Sequence, residues 1–187
     1  AGAMYYDSTN NKFKCYTTAW VDCGGAASGT KTIKLMPEFA GGTLSADGSS
    51  NTGTLSANHD AAARRNYYEW TTTQGTAQDY DIVVSTAIPS DFTAIGAASG
   101  FKFYIYDGDG TTTNAKVTWT LTSANGTQCF SSDFNASSPN TWQQLSASSL
   151  GTCTFAANDE ITIRFKLTTT SGAGTIRIGG VEYQYSN

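Results

Sequence analysis

The feature that most constrains this chain is a two-residue alternation of apolar and polar side chains, repeated in segment after segment. In the run from Phe101 to Tyr106 the odd positions are Phe101, Phe103 and Ile105, and the even face carries Tyr104 and Tyr106. Val117, Trp119 and Leu121 share one face against Lys116, Thr118 and Thr120. Ile161, Ile163, Phe165 and Leu167 oppose Thr162, Arg164 and Lys166. Tyr80, Ile82 and Val84 oppose Asp79, Asp81 and Val83. Side chains on a strand alternate between its faces, so each run reads as an antiparallel strand with one face in a core and one in water.

Turn clusters separate the runs: Asp47-Gly48-Ser49-Ser50, Asp107-Gly108-Asp109-Gly110, Asn125-Gly126 and Ser171-Gly172-Ala173-Gly174. About ten strands punctuated this way predict an all-β, antiparallel two-sheet sandwich, jelly-roll-like in its connections. The 29 Thr suit exposed strand positions, and the longest helix-friendly stretch, Ala61 to Arg65, is too short for a helical fold. Residues 57–68 read as a loop followed by a strand. In the last segment Ile176 and Ile178 are even whereas Val181, Tyr183 and Tyr185 are odd, so a bulge at Gly179-Gly180 is needed to keep all five facing inward. Three units result: a short β-meander over residues 1–23, a small-residue linker over 24–29, and the sandwich over 30–187.

Cysteine and charge bound the environment. Hairpin geometry would bring Cys15 beside Cys23, which favours sequential pairing and leaves Cys129 for Cys153. Zinc lacks both the C-x₂₋₄-C spacing and the histidines, since His59 stands alone. Two disulfides imply an oxidising, extracellular or cell-surface setting. The chain opens directly on a Tyr-rich strand and reads as a mature fragment or a piece of a longer polypeptide. A net charge of −4 with no basic cluster beyond Arg64-Arg65 argues against nucleic acid as partner. No apolar run approaches the roughly 20 residues of a membrane helix, so membrane insertion is not expected.

Catalytic signals are weak. His59 sits in a polar stretch with no partner for a triad at a readable spacing. The four glutamates include Glu69 and Glu182, which alternation turns outward rather than into a cleft. A non-enzymatic chain without cofactor is therefore expected. Asp107 and Asp109 open a sequence like the start of a calcium loop, yet the twelfth position is Thr118 instead of a bidentate Glu. A structural calcium at these two carboxylates and a plain Asp-Gly turn are both open.

Binding candidates are aromatic, because sugar C–H faces stack on rings. Trp119 and Trp70 share the phase of core residues. Trp142 follows Ser138-Pro139-Asn140-Thr141 at a loop edge and opposes Leu145 in phase, making it the best candidate for an exposed ring. Tyr104 and Tyr106 form a second platform, which a partner subunit would also suit.

A resemblance adds a setting. Residues 2–16, Gly-Ala-Met-Tyr-Tyr-Asp-Ser-Thr-Asn-Asn-Lys-Phe-Lys-Cys-Tyr, continuing to Ala19-Trp20-Val21-Asp22-Cys23, resemble a hairpin module of phage tail fibres and of long surface proteins of candidate-phyla (Patescibacteria-type) bacteria. The stretches Arg65-Asn66-Tyr67-Tyr68-Glu69-Trp70-Thr71-Thr72 and Gln78-Asp79-Tyr80-Asp81-Ile82-Val83-Val84 resemble the terminal sandwich domain of such proteins. The resemblance implies a distal fibre or adhesin module and carries over no catalytic residue. The expected role is a non-catalytic attachment or structural module that binds a cell-surface glycan or protein ligand, with a homotrimer as one possible assembly. The alternative is a carbohydrate-binding module of a secreted enzyme.

Overall fold

The computed structural model of the protein describes residues 3–16, 18–23, 29–39, 41–96, 100–110, 114–147, 149–151 and 153–187. β1 (Met4–Asp7), β2 (Lys12–Tyr16) and β3 (Trp20–Asp22) form a three-stranded antiparallel sheet of their own. Its first turn is organised by Asp7, whose Oδ1 accepts from the backbone N–H groups of Thr9 and Asn10, while Asn11 takes a left-handed φ of 55°. Cys15 and Cys23 are disulfide-bonded across this meander, as the hairpin reading requires. Of the expected linker only Gly29 is among the described residues. Its N–H donates to Asn187 Oδ1 at 3.1 Å.

Two sheets make the sandwich. Sheet I runs in the order β12 (Gln128–Phe134), β11 (Lys116–Thr122), β14 (Glu160–Thr169), β8 (Gln78–Ala87), β5 (Gly42–Ser45). Sheet II runs β13 (Trp142–Ser146), β10 (Lys102–Asp107), β15 (Thr175–Ser186), β7 (Arg65–Thr71), β6 (Thr54–Asp60). β4 (Thr30–Leu35) and β9 (Ala94–Ile95) also pair with β15, along its C-terminal half. The architecture is the antiparallel, jelly-roll-like sandwich expected, with twelve strands in its two sheets among the described residues against an expectation of about ten.

Register explains the burial. Trp119 lies opposite Phe165 and Leu121 opposite Ile163, and the ladder continues as Phe165 to Ile82 and Ile163 to Val84. All six are at most 1% exposed. Sheet II answers with Phe103, Ile105, Ile176, Ile178, Val181 and Tyr183, each 3% exposed or less. Rings interlock between the layers: Phe103 lies 6.1 Å from Phe165, and Phe101 lies 5.6 Å from Trp119. Full burial of one such side chain contributes about 2–3 kcal/mol. The Cys129–Cys153 disulfide closes a 24-residue separation beside this core.

The bulge is where the phase flip demands it. On β15 the step from Val181 to Ile178 spans three residues, while on β10 the matching step from Phe103 to Ile105 spans two. The surplus residue sits at Gly179-Gly180, opposite Tyr104, and Val181, Tyr183 and Tyr185 return to the core.

One expectation is corrected. Residues 57–60 are not a loop: Ala57, Asn58, His59 and Asp60 complete β6, in register with Tyr68, Tyr67, Asn66 and Arg65. Pairing to β7 overrides the weak strand preference of Asn and Asp. The reversal is confined to residues 61–64, where the Ala63 N–H donates to Asp60 Oδ1 at 2.9 Å.

Candidate functional site

The outward positions of sheet II hold the candidate site. From one edge to the other they are Trp142 and Gln144 on β13, Tyr104 and Tyr106 on β10, Arg177 on β15, Arg65, Tyr67 and Glu69 on β7, and Asp60 on β6. β13 and β6 are four strand spacings apart in this path, roughly 19 Å at about 4.8 Å each. Even so, Trp142 Nε1 donates to Asp60 Oδ2 at 2.9 Å. A flat sheet could not bring those two side chains together, so the outer face of sheet II is concave.

The rings and charges on this face hold one another in place. Trp142 meets Tyr67 edge-on at 5.5 Å and Tyr106 at 5.7 Å. The Arg177 guanidinium lies 4.2 Å from the Tyr106 ring centre and 4.8 Å from that of Tyr67, with its Nε donating to Glu69 Oε2. Arg65 lies 3.4 Å above Tyr104 and 5.4 Å from Trp142. Such cation–π contacts contribute about 0.5–2 kcal/mol each and fix side chains that would otherwise be mobile. Further hydrogen bonds run from Gln144 Nε2 to the Tyr104 hydroxyl at 2.8 Å and from the Tyr106 hydroxyl to Asn140 Oδ1 at 3.2 Å. The Asp60 carboxyl is held below its ordinary range by the Ala63 N–H and then by the Trp142 indole. The anion that anchors Trp142 therefore stays charged.

A glycine makes the arrangement possible. A Cβ on Gly179 would come within 2.7 Å of Arg65 Cδ and 3.3 Å of Tyr104 Cβ. The bulge that restores the core phase on one side of β15 thus clears a path on the other side, along which Arg65 reaches the Tyr104 ring.

Alternation places Trp142, Tyr104 and Tyr106 on the outer surface, and the structure brings all three to this one face. Trp142 differs in its setting: it is half-buried as the first residue of β13, not a free ring at a loop edge, because its indole N–H is tied to Asp60. Asp107 and Asp109 are elsewhere. Asp107 ends β10 fully buried, and its Oδ1 accepts from the N–H groups of Asp109 and Gly110 at 2.7 and 2.9 Å. Burial raises its pKa, against those hydrogen bonds. Asp109 Oδ2 accepts from Asn114 Nδ2 at 3.0 Å. Both carboxylates organise the turn, and no group of three or more acidic, His or Cys side chains able to hold a metal ion occurs among the described residues. His59 is exposed on β6, with Nδ1 2.7 Å from Asn66 Oδ1.

Six residues of the face are not binding candidates by sequence: Asp60, Arg65, Tyr67, Glu69, Gln144 and Arg177, of which Glu69 reads only as an outward surface charge. The outward parity of Glu69 and Arg177 is readable from the alternation, whereas Asp60 falls in a segment that reads as loop. The order of strands in the sheet, which gathers them, is not readable.

No family model matches the chain, and no curated protein matches its sequence. Among solved structures, the enzymatically active domain of tailspike protein 4 of bacteriophage CBA120 aligns with a TM-score of 0.51 at 12% identity, over 79% of this chain and 20% of that one. A carbohydrate-binding module, TmCBM61, solved with β-1,4-galactotriose, aligns at 0.49 and 10% identity, over 81% of this chain and 90% of that one. A structure from a study of carbohydrate-binding modules of the β-sandwich superfamily aligns at 0.48 and 14% identity, over 97% of this chain and 86% of that one. At 12% identity the similarity to the tailspike domain is one of fold alone.

Proposed function

We propose that this chain is a non-catalytic carbohydrate-binding module that grips a glycan on the concave face of sheet II. The observation that carries this reading is the convergence there of Trp142, Tyr106 and Tyr104 with fixed hydrogen-bonding groups on Gln144, Asn140, Glu69 and Arg177. Rings supply flat apolar surface for sugar C–H faces, and pre-positioned polar groups supply partners for hydroxyls without further ordering. The two disulfides fit a secreted module. Trp142→Ala is expected to weaken glycan binding, read by affinity electrophoresis, by about thirtyfold or more, since loss of a central aromatic anchor removes about 2 kcal/mol or more of binding. Retention unchanged by Trp142→Ala would overturn the reading.

A second reading, attachment within a fibre-like surface protein, is favoured by the meander. Met4, Phe13, Trp20 and Val21 are 46 to 65% exposed on its three short strands, more apolar surface than so small a sheet usually leaves uncovered. Light scattering tests it: a mass near three times 19.8 kDa supports a trimeric assembly, and a monomer leaves the glycan reading alone.

A further inference from the structure

The cations of this acidic chain are distributed unevenly. Lys31, Lys102, Lys116, Arg164, Lys166 and Arg177 each lie against a carboxylate. Lys34, Arg64 and Arg65 form no ion pair among the described residues, and all three line one groove of about 220 Å³. Met36, Tyr104 and Glu182 are also in its wall. The groove opens beside the concave face, sharing Arg65 and Tyr104 with it.

Local structure explains how two consecutive arginines enter one groove. Neighbouring residues on a strand point to opposite faces, so Arg64 and Arg65 would ordinarily diverge. Arg64 instead closes the β6–β7 turn with a left-handed φ of 52°, which breaks the alternation at that residue. The carboxylate opposite Arg65 in register, Asp60, is already committed to the Ala63 N–H and the Trp142 indole. Arg65 Nε is buried without a hydrogen-bond partner, and its guanidinium lies against Tyr104. A stacked guanidinium is held in one orientation and is weakly hydrated, which suits it to a two-pronged bond with a planar or tetrahedral oxyanion.

We propose that this groove seats the oxyanion of an acidic sugar ring, a uronate carboxylate or a sulfate ester, so that the glycan held by sheet II is negatively charged. The proposal rests on the carbohydrate reading and names its ligand class. At about 220 Å³ the groove is below the roughly 300–1,000 Å³ of pockets for drug-sized ligands, so it takes one substituted ring and not a chain. The chain, at −4 overall, repels polyanions elsewhere, and productive contact is confined to this positive spot.

The test uses the whole chain and two matched pairs of polymers: polygalacturonate against its methyl ester, and dextran sulfate against dextran. Calorimetry at low salt is expected to give about tenfold or more tighter binding to the charged member of at least one pair. Preference in the first pair alone identifies a carboxylate, and in the second alone a sulfate. The triple variant Lys34→Gln, Arg64→Gln, Arg65→Gln should bring that ratio to about one while still unfolding in a single cooperative transition, at a melting temperature lowered only by the loss of the Arg65 stacking on Tyr104 and Trp142. Equal affinity within both pairs, or a preference that survives the triple variant, overturns the groove. Retention of neutral glycans only on an array refutes the groove and leaves the platform standing. Retention of none refutes both.

Discussion

The two outer faces of the sandwich obey the same alternation and use it differently. Sheet I presents threonines and charges that cancel locally: Lys116 and the Thr118 hydroxyl both bond Asp133, and Lys166 sits among Asp47, Asp79 and Asp81. Sheet II presents rings, with its charges laid against them or used to pin them. On sheet I an ion pair ends with itself. On sheet II, Asp60 holds an indole, Glu69 holds an arginine that spans two tyrosines, and three cations are left over at one end. Water and salt satisfy a surface of the first kind. The second kind keeps half-buried aromatic area and unpaired charge in fixed positions, which serves a ligand better than it serves folding.

The largest expected effect separates core from face. Phe165→Ala, at a fully buried position between the sheets, should destabilise the chain by about 3–5 kcal/mol in urea denaturation. Trp142→Ala, at the half-buried position on sheet II, should cost less than half of that, while removing the glycan affinity that Phe165→Ala spares in whatever fraction stays folded. If the two variants are equally destabilising, Trp142 is a core residue in effect and the contrast between the faces weakens.

A smaller effect isolates the geometry of the face. Gly179→Ala places a methyl group against the Arg65 side chain, whose flexible stem can yield, so the stability loss should be about 1 kcal/mol. Displacing Arg65 from Tyr104 should still reduce binding several-fold. At Gly180 an added Cβ meets nothing nearer than 3.6 Å, and the same substitution there should have a lesser effect. Equal affinity losses at both glycines would mean that the bulge acts through the backbone and not through Arg65.

What was legible from sequence follows the range of the interactions. The strands, the bulge at Gly179-Gly180 and the inward Trp70 and Trp119 are local consequences of a two-residue period. Cys15–Cys23 is local to a hairpin. Trp142, Tyr104 and Tyr106 could be placed outward by parity alone. Tyr67 could not be recognised as part of the same face: it is outward in phase yet only 6% exposed, because Trp142 and Arg177 cover it from strands 75 and 110 residues later in the chain. Asp60 reads as loop because Asn58-His59-Asp60 is a poor strand sequence, and only its register with β7 makes it a strand. A periodic pattern reports which way a side chain points. Which strands become neighbours depends on the topology of the whole sandwich.

The smallest effect concerns sheet I and has a definite sign. Burial raises the pKa values of Asp79 and Asp81 despite the attraction of Lys166, whereas the hydrogen bond from Lys166 and the Ser49 N–H lower that of Asp47 to about 2. A carboxyl whose folded pKa exceeds its unfolded value of about 3.9 binds its proton more tightly when folded. Its contribution is present in full below the unfolded pKa and lost as pH rises through the folded one. Asp47 acts oppositely, contributing above about pH 4 and losing that contribution as pH falls toward 2. Asp81→Asn, which removes a buried charge whose Oδ1 accepts no hydrogen bond, should therefore melt above the wild type at pH 7, with the gap closing toward pH 4. Thermal melts at the two pH values decide it. A variant that melts below the wild type at pH 7 would mean that the contacts of Asp81 with Arg164 and Lys166, at 3.8 and 4.0 Å, outweigh its burial. The charges of sheet I would then be a net source of stability, and its contrast with sheet II would be sharper still.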